Sequence, residues 1–435
     1  MTSVIISNII GGFIMHSIEN IISSFLNLSL SDIESVDLTS DSSIVTVILK
    51  SKKNTCEFCG SKSVKGNGYY SRTVKVPVTP LNSSNVVLKV KRFRCNDCHH
   101  SFSDSKLLAP ANHTVSYATV HQVMDLLKSP AMTFKQAATL CGISESTVVR
   151  IFDRHCHIPR LSFPEVVCID EVYTKNSSFD SKFSCIFYDF FNQSIIDILP
   201  SRRKRELHNY FTFIPKKELD KVKYVCMDMY KPYKDICSIY FKKATICVDS
   251  FHVVKHLNDD LNQIRIRISK RYPSDSYEYY LLKHFRFLLF DRSVDLDNKA
   301  RWNKKFNRFL NYRQLLDMIL SIDIDLYNGF LLKEYYFSFN NSSSDFDKSF
   351  DSLLDEFIKA GIPEYEEFIG LLQNWRTEII NSFTYYRGKR INNSVAESIN
   401  SQVKLVLYNS KGIRNSERRR KRIMYSINKS GFLLR

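Results

Sequence analysis

The chain has 435 residues, of which 44% are hydrophobic and 25% are charged, so it can bury sizeable cores and is not mainly disordered. Its 62 Lys and Arg residues against 45 Asp and Glu residues give a net charge of +17, which favours a polyanionic partner such as nucleic acid. The longest uncharged stretch, Met1–Ile18, is shorter than the roughly 20 apolar residues of a membrane span and lacks the basic start of a signal peptide. We therefore expect a cytoplasmic protein that does not associate with membranes.

Two Cys-x-x-Cys pairs lie near the start of the chain, at Cys56 with Cys59 and at Cys95 with Cys98. Two intervening residues let both thiolates of a pair face one ion, and four thiolates complete the tetrahedral shell of a structural zinc site. The segment between the pairs alternates as β-strands do, which is typical of a zinc ribbon. Chance pairing of reduced cysteines remains an alternative, as does a histidine ligand in place of one cysteine. The pattern predicts a closed Zn²⁺ site that holds the fold and takes no part in chemistry.

Three helices are predicted next, over Tyr117–Leu127, Thr133–Gly142 and Ser144–Arg154. Gly142 lies where a helix-turn-helix reverses tightly, and the last helix of such a motif enters the major groove with its N-terminal residues. A simple helical hairpin without a DNA role remains the alternative. The residues that we predict to contact DNA are Ser144, Ser146, Thr147 and Arg150.

The following segment alternates short apolar runs with polar stretches, which is typical of an α/β domain. Three of the apolar runs end in an aspartate, at Asp170, Asp228 and Asp249. Ligand sites in open α/β sheets gather at the carboxyl ends of strands, so these aspartates are candidates for a common site. Each of them could equally be the N-cap of a following helix.

The order of these features resembles the bacterial insertion-sequence transposases of the ISL3 family. The motifs that carry the resemblance are VVCIDEVY, VKYVCMDMYKPY, ATICVDSFHVVKH and NNSVAESINSQVKLVLYNSKGIRN, and together with the zinc ribbon they cover nearly the whole chain. The resemblance implies a DNA transposase with a ribonuclease H-like core, interrupted by a helical insertion. It also implies a DDE triad of Asp170, Asp228 and Glu397 that binds Mg²⁺ or Mn²⁺.

Asp249 competes with Asp228 for the second position of the triad. In the implied ribonuclease H-like sheet, the strand ending at Asp228 lies beside that of Asp170, whereas the Asp249 strand lies one further out. Neighbouring strands are about 4.8 Å apart, so carboxylates on adjacent strands bridge two metal ions more readily. We therefore choose Asp228 and expect Asp249 and His252, a D-x-x-H pattern, to support the site.

Glu397 has an alternative of its own, because Ser394 and Glu397 match an S-x-x-E capping box in which the glutamate only satisfies a helix N-terminus. The resemblance favours the metal ligand. Basic runs at 202–205 and 418–422 are expected to contact the DNA backbone, with a solvated helix face as the alternative for the second run. The predicted contacts in these runs are Arg202, Arg203, Arg418 and Arg419.

The predicted domains are an N-terminal segment (1–50), a zinc ribbon (51–108), a helix-turn-helix domain (109–160), a ribonuclease H-like core (161–257 and 391–435) and a helical insertion without strands (258–390). Trp302 and Trp375 in the insertion are expected to pack in a core. No P-loop motif occurs, so we expect no nucleotide cofactor. The partners implied are double-stranded DNA, as terminal inverted repeats and target, and a second copy of the chain in the bacterial nucleoid. A catalytically silent regulator derived from a transposase, or a nuclease without strand transfer, remains the alternative function.

Overall fold

The computed structural model describes residues 29–38, 44–51, 54–77, 84–103, 109, 113–176, 181–341, 345–410 and 413–428, so Met1–Ile18 lies outside the described residues. The strands, in chain order, are β1 (Ile33–Leu38), β2 (Ile44–Leu49), β3 (Val64–Val76), β4 (Ser84–Cys95), β5 (Ser101–Ser103), β6 (Val166–Asn176), β7 (Ser181–Asp189), β8 (Ser194–Leu199), β9 (Tyr224–Met227), β10 (Thr245–Val248), β11 (Arg301–Asn303), β12 (Arg308–Leu310), β13 (Tyr385–Tyr386) and β14 (Lys389–Arg390). The α-helices, in chain order, are α1 (Tyr117–Leu126), α2 (Phe134–Cys141), α3 (Glu145–His155), α4 (Lys204–Thr212), α5 (Lys216–Leu219), α6 (Lys231–Tyr240), α7 (Ser250–Ser269), α8 (Tyr277–His284), α9 (Tyr312–Leu320), α10 (Ile324–Asn340), α11 (Phe346–Ala360), α12 (Glu366–Asn374), α13 (Arg376–Asn381), α14 (Ser394–Asn409) and α15 (Ser416–Ile427). Within these ranges, no helix combines the length and apolar character needed to cross a bilayer.

The chain divides into two compact units, an N-terminal unit of residues 1–159 with 401–435 and a central unit of residues 160–400. The predicted bounds placed all of 391–435 with the catalytic core, whereas the structure groups 401–435 with the N-terminal unit. The physical reason is the packing of α15. The ring of Tyr425 meets that of Phe152 edge-on at 5.9 Å, and its hydroxyl donates to the backbone oxygen of Met124 at 3.1 Å.

The N-terminal unit contains one five-stranded sheet, in which the order is β1-β2-β4-β3 and β5 pairs with β4. The long β3 and β4 strands pair antiparallel, and β2 runs parallel to β4. Alternate residues of these strands, including Val47, Val74 and Leu88, bury one face of the sheet, because successive side chains of a strand point to opposite faces. The strands predicted between the two cysteine pairs are confirmed as β3 and β4.

Arg422 of α15 is almost completely buried in the N-terminal unit. Its guanidinium donates to three backbone oxygens, those of Leu127 at 2.7 Å, Ser129 at 2.9 Å and Met132 at 2.7 Å. These oxygens lie just beyond the C-terminus of α1, where helix carbonyls lack intrahelical partners and attract cations. Arg422 therefore links α15 to the end of α1 and to the residues that follow it. At least this residue of the basic run 418–422 stabilises the fold.

We expect Arg422→Met to lower the free energy of unfolding by about 2–4 kcal/mol, because it leaves three backbone oxygens without their donor. Thermal unfolding of the full-length protein measures the change. Arg414→Met, which removes an exposed arginine just before α15, is the matched control and should leave the melting temperature unchanged. Equal melting temperatures for the two variants would contradict the role that we give to Arg422.

The central unit is built on a five-stranded sheet with the order β10-β9-β6-β7-β8. Strands β6, β7 and β8 form an antiparallel meander, and β9 and β10 run parallel to β6. As expected, β9 lies directly beside β6 and β10 lies one strand further out. The buried face of β6 and β9 packs Ile169 and Met227 into a large core that continues into the helices of the insertion.

The insertion is mainly helical, from α8 to α13, but the expectation that it contains no strands was wrong. Residues 301–310 form the β11–β12 hairpin, with Asn307 in the left-handed region at its turn (φ 49°). Trp302 faces outward on this hairpin and is 53% exposed, which corrects its predicted place in a core. Trp375 is 8% exposed and packs in the core as predicted.

Candidate metal and DNA-binding sites

The four predicted zinc ligands converge in the N-terminal unit. Cys56 Sγ is 3.5 Å from Cys98 Sγ, Cys59 Sγ is 3.6 Å from Cys95 Sγ, and all four sulfur atoms lie within 4.8 Å of one another. Bonds of about 2.3 Å in a tetrahedral zinc site place its sulfur ligands about 3.8 Å apart, so the set fits Zn²⁺. Among the described residues, this group of potential ligands contains the four cysteines and no histidine.

The backbone of the two Cys-x-x-Cys turns also suits thiolate ligands. Gly60 and His99, which follow the pairs closely, adopt positive φ angles of 71° and 59° that turn the chain back. Backbone N–H groups of Cys98 and Asp97 lower the pKa of the Cys95 thiol, whereas burial and the neighbouring cysteines raise the pKa of Cys98. Thiols packed this closely lose their protons readily only when a cation such as Zn²⁺ binds them.

The predicted helix-turn-helix is formed by α2 and α3. Thr133 caps α2 in a reciprocal capping box with Gln136, and Gly142 ends it in the left-handed region at φ 59°. Ser144 caps α3 by accepting a hydrogen bond from the backbone N–H of Thr147 at 3.3 Å. The sequence signals for this motif were the capping residues and the glycine.

The predicted DNA-contacting residues differ in their exposure and in their contacts within the protein. Ser144, Ser146 and Arg150 are exposed at the start of α3, and Arg150 also donates to the Thr147 hydroxyl at 3.1 Å. Arg418 forms an ion pair with Asp153 of α3 at 2.6 Å, and Arg419 is half-buried. In the central unit, Arg203 is exposed, whereas Arg202 forms an ion pair with Glu171 and lies 4.4 Å from the ring centres of Phe183 and Tyr230.

The three predicted aspartates lie side by side across three neighbouring strands of the central sheet, although Asp170 lies within its strand and not at its end. Asp170 lies in β6, Asp228 directly follows β9, and Asp249 directly follows β10, in the order Asp249, Asp228, Asp170 across neighbouring strands. All three are buried, with 3–9% of their surface exposed. Burying carboxylates so close together is costly unless a cation neutralises them.

Asp170 is held by a chain of hydrogen bonds. Asn400 of α14 donates from Nδ2 to Asp170 Oδ2 at 2.6 Å, and the Tyr188 hydroxyl of β7 donates to Asn400 Oδ1. The backbone N–H of Glu171 donates to Asp170 Oδ1 at 2.7 Å. Burial, together with the charges of Glu171, Asp249 and Glu397, raises the pKa of Asp170 to about 6.

Asp228 lies against His252 of α7. His252 Nε2 is 3.0 Å from Asp228 Oδ1, yet the two groups are not aligned for a hydrogen bond, and Asp228 Oδ1 has no hydrogen-bond partner among the described residues. Burial and the charges of Asp170 and Asp249 raise the pKa of Asp228 to about 9. Burial, with the charges of Lys255 and His256, lowers the pKa of His252 to about 4, so its imidazole is neutral at pH 7.

Asp249 caps the N-terminus of α7 with its side chain. Its Oδ1 accepts a hydrogen bond from the N–H of Phe251 at 3.4 Å. Its Oδ2 lacks a hydrogen-bond partner among the described residues. Burial raises the pKa of Asp249 to about 6.

Glu397 lies in the first turns of α14 with an exposed side chain. Its charge adds to the effect of burial in raising the pKa values of both Asp170 and Asp249. The capping-box alternative required Ser394 to precede the helix. Instead α14 begins at Ser394, and the Ser394 hydroxyl donates to Asn392 Oδ1 at 2.6 Å.

Two positioning residues of this cluster, Asn400 and Tyr188, are not among the predicted site residues. Asn400 lies three residues after Glu397 on α14, so its helical spacing was a usable signal. Tyr188 lies within an apolar strand run, and its hydroxyl meets Asn400 only through long-range packing. No local pattern reveals such a contact.

Comparison with known proteins identifies the family. A transposase family model of the ISL3 DDE type matches residues 167–423, which is more than half of the chain. The chain belongs to the ISL3 family of transposases. A second model, the helix-turn-helix domain of transposase family ISL3, matches residues 108–156 of the transposase and confirms the predicted DNA-binding motif. No curated protein matches the sequence.

The matched regions cover the acidic cluster and the helix-turn-helix of the transposase. Asp170, Asp228, Asp249 and Glu397 all lie within residues 167–423, and α2 and α3 lie within residues 108–156. The family thus accounts for DNA binding and indicates a divalent metal in the central unit. The cysteine cluster lies outside both matches, so a zinc site there depends on the geometry of the four thiols.

Proposed function

We propose that this transposase binds the terminal inverted repeats of its element through the zinc ribbon and the helix-turn-helix. We propose further that its central unit cleaves DNA at those ends and joins the freed 3′-hydroxyls to target DNA. A homodimer fits this reaction, because two ends have to be brought together. The observation that carries the proposal is the pair of buried carboxylates Asp170 and Asp228, which offer ligand atoms within 4.8 Å of each other, with Asp228 Oδ1 lacking a hydrogen-bond partner among the described residues. Glu397 of α14 is the third proposed member, and its charge adds to the effect of burial in raising the pKa of Asp170.

The order of the central sheet supports a ribonuclease H-like core. Three antiparallel strands, β6 to β8, are followed by β9 and β10 on the other side of β6 and parallel to it. In this arrangement the first carboxylate lies in the central strand and the second directly after its parallel neighbour. The order therefore supports Asp228 over Asp249 as the second member of the triad.

The donor set fits a hard divalent cation such as Mg²⁺ or Mn²⁺. Carboxylate oxygens are the ligands that such cations prefer. The raised pKa values of Asp170 and Asp228 result from burial and from the neighbouring negative charges, and a bound cation would offset both effects. Asp170, Asp228 and Glu397 would hold the metal, which stabilises the attacking and leaving oxygens of an in-line displacement at phosphorus. Asn400 orients Asp170 through the hydrogen bond from its Nδ2 to Asp170 Oδ2.

A cleavage assay tests the proposed reaction. Full-length protein is incubated with Mg²⁺ and a labelled DNA fragment that carries the element's end. We expect specific cleavage by the wild type, a loss of at least about 10³-fold in Asp228→Ala because a cation ligand is removed, and retained cleavage in Asp249→Ala. Asp259→Ala, which removes an exposed aspartate of α7, is the matched control.

Each of the other outcomes would contradict a different part of the proposal. End binding without cleavage by the wild type would favour a silent regulator, and cleavage without joining to target DNA would favour a nuclease. Loss of cleavage in Asp249→Ala alone would mean that Asp249 is the second carboxylate.

A further inference from the structure

The closest set of potential cation ligands in the central unit includes a histidine. Among the described residues, groups of at least three His, Cys, Asp or Glu ligand atoms within 4.8 Å of one another are the four cysteines and the set of Asp170, Asp228 and His252. Glu397 is not in this second set, and its side chain is exposed. His252 therefore supplies the nitrogen ligand of this set.

The distance between His252 and Asp228 matches two ligands of one ion. Neighbouring ligand atoms in an octahedral shell of about 2.1 Å radius are about 3.0 Å apart. His252 Nε2 and Asp228 Oδ1 are 3.0 Å apart and are not aligned for a hydrogen bond with each other. Asp228 is 9% exposed, and this oxygen has no partner within the described part of the chain. An ordinary His–Asp hydrogen bond would have satisfied it.

The position of His252 is fixed by the fold. It lies in the first turn of α7, whose N-cap Asp249 accepts a hydrogen bond from the backbone N–H of Phe251. The following residue, Val253, is buried in the core of the unit. The imidazole is thus held beside Asp228, where β9 ends, while 28% of its side-chain surface remains exposed.

We propose that Asp170, Asp228 and His252 form a cation site with one imidazole ligand, which binds Mn²⁺ more tightly than Mg²⁺. Imidazole nitrogen is a good ligand for transition-metal ions, whereas Mg²⁺ prefers oxygen. Glu397 then completes the site from α14 as a further oxygen ligand. This inference rests on the proposed function, because it concerns the cation that the cleavage reaction needs.

Pulsed EPR of Mn²⁺ bound to the full-length protein without DNA tests the assignment. A directly bound imidazole produces a ¹⁴N modulation of the Mn²⁺ electron spin echo. We expect this modulation in the wild type, its loss in His252→Gln, and its retention in His256→Gln. His256 is an exposed histidine one turn further along α7 and serves as the matched control. Labelling the histidines of the wild type with ¹⁵N should change the pattern, and this measurement needs no folded variant.

Titrations of Mn²⁺ and Mg²⁺ give the second measurement. His252→Gln should weaken Mn²⁺ binding on the order of tenfold and change Mg²⁺ binding much less, whereas Asp228→Asn should weaken both. If Mn²⁺ binds and depends on Asp228 but shows no histidine nitrogen, the role of His252 is overturned and the proposed function stands. If the wild type binds neither cation, the metal-dependent part of the proposed function fails as well.

Discussion

Asp228→Asn is expected to raise the melting temperature of the cation-free protein at pH 8 by about 4 °C or more, and to abolish DNA cleavage. The reason is the buried carboxylate. Its pKa of about 9 in the folded protein lies far above the usual aspartate value of 3.8, since burial and the charges of Asp170 and Asp249 disfavour its ionised form. Asparagine has a similar shape and carries no charge, so the substitution removes this cost at pH 8.

The stability of the cation-free protein should depend on pH. Between about pH 4 and pH 9 the folded cation-free protein keeps a proton on Asp228 that the unfolded chain has lost, so stability falls as pH rises through this window. The advantage of Asp228→Asn should therefore grow from pH 5 to pH 8. Thermal unfolding of both proteins in the presence of a chelator measures this difference in stability. Added Mg²⁺ should stabilise the wild type and leave Asp228→Asn unchanged. A variant that melts below the wild type at pH 8 would refute the argument.

Cys95→Ala is expected to remove one zinc ion per chain and to unfold the part of the N-terminal unit around the two cysteine turns. Among the described residues, the small core around the cysteine turns buries Cys56, Cys95 and Phe102, with Val64, Phe93 and Cys98 partly buried against it. A structural Zn²⁺ contributes about 10–16 kcal/mol in small domains of this kind, far more than such a core provides. The loss should be visible as proteolysis near the cysteine turns.

Elemental analysis of the purified protein measures zinc directly. Cys141→Ala changes another buried cysteine of the same unit, outside the cluster, and should keep its zinc. The binding of DNA that carries the element's end should fall in Cys95→Ala and persist in Cys141→Ala. A wild-type protein that contains no zinc and folds equally well would refute the zinc site.

Local patterns predicted much of the structure. The apolar runs that end in Asp170, Asp228 and Asp249 became β6, β9 and β10, since a short buried strand is encoded by its own residues. The helix-turn-helix followed from capping residues and Gly142, which are also local signals. The order of the strands came from the family resemblance and not from periodicity.

Features that depend on long-range packing were not predicted. The basic composition of residues 418–422 is the same for a solvated helix and for one that buries Arg422 against the carbonyls of α1, so the sequence could not distinguish them. The β1–β2 pair carries no motif, and β2 joins the sheet beside β4, far along the chain. The β11–β12 hairpin consists of three-residue strands, which are too short to show an alternating pattern.

The energetic cost of burying these carboxylates affects which mutations accumulate in copies of such an element. A mutation that neutralises Asp228 is expected to silence the enzyme and to leave a protein that folds at least as well as its parent. Its helix-turn-helix belongs to the other compact unit and is untouched by the change. Selection for a folded protein therefore does not remove such copies. Their products would still occupy the ends of intact elements, and an accumulating population of them would restrain the spread of the active ones.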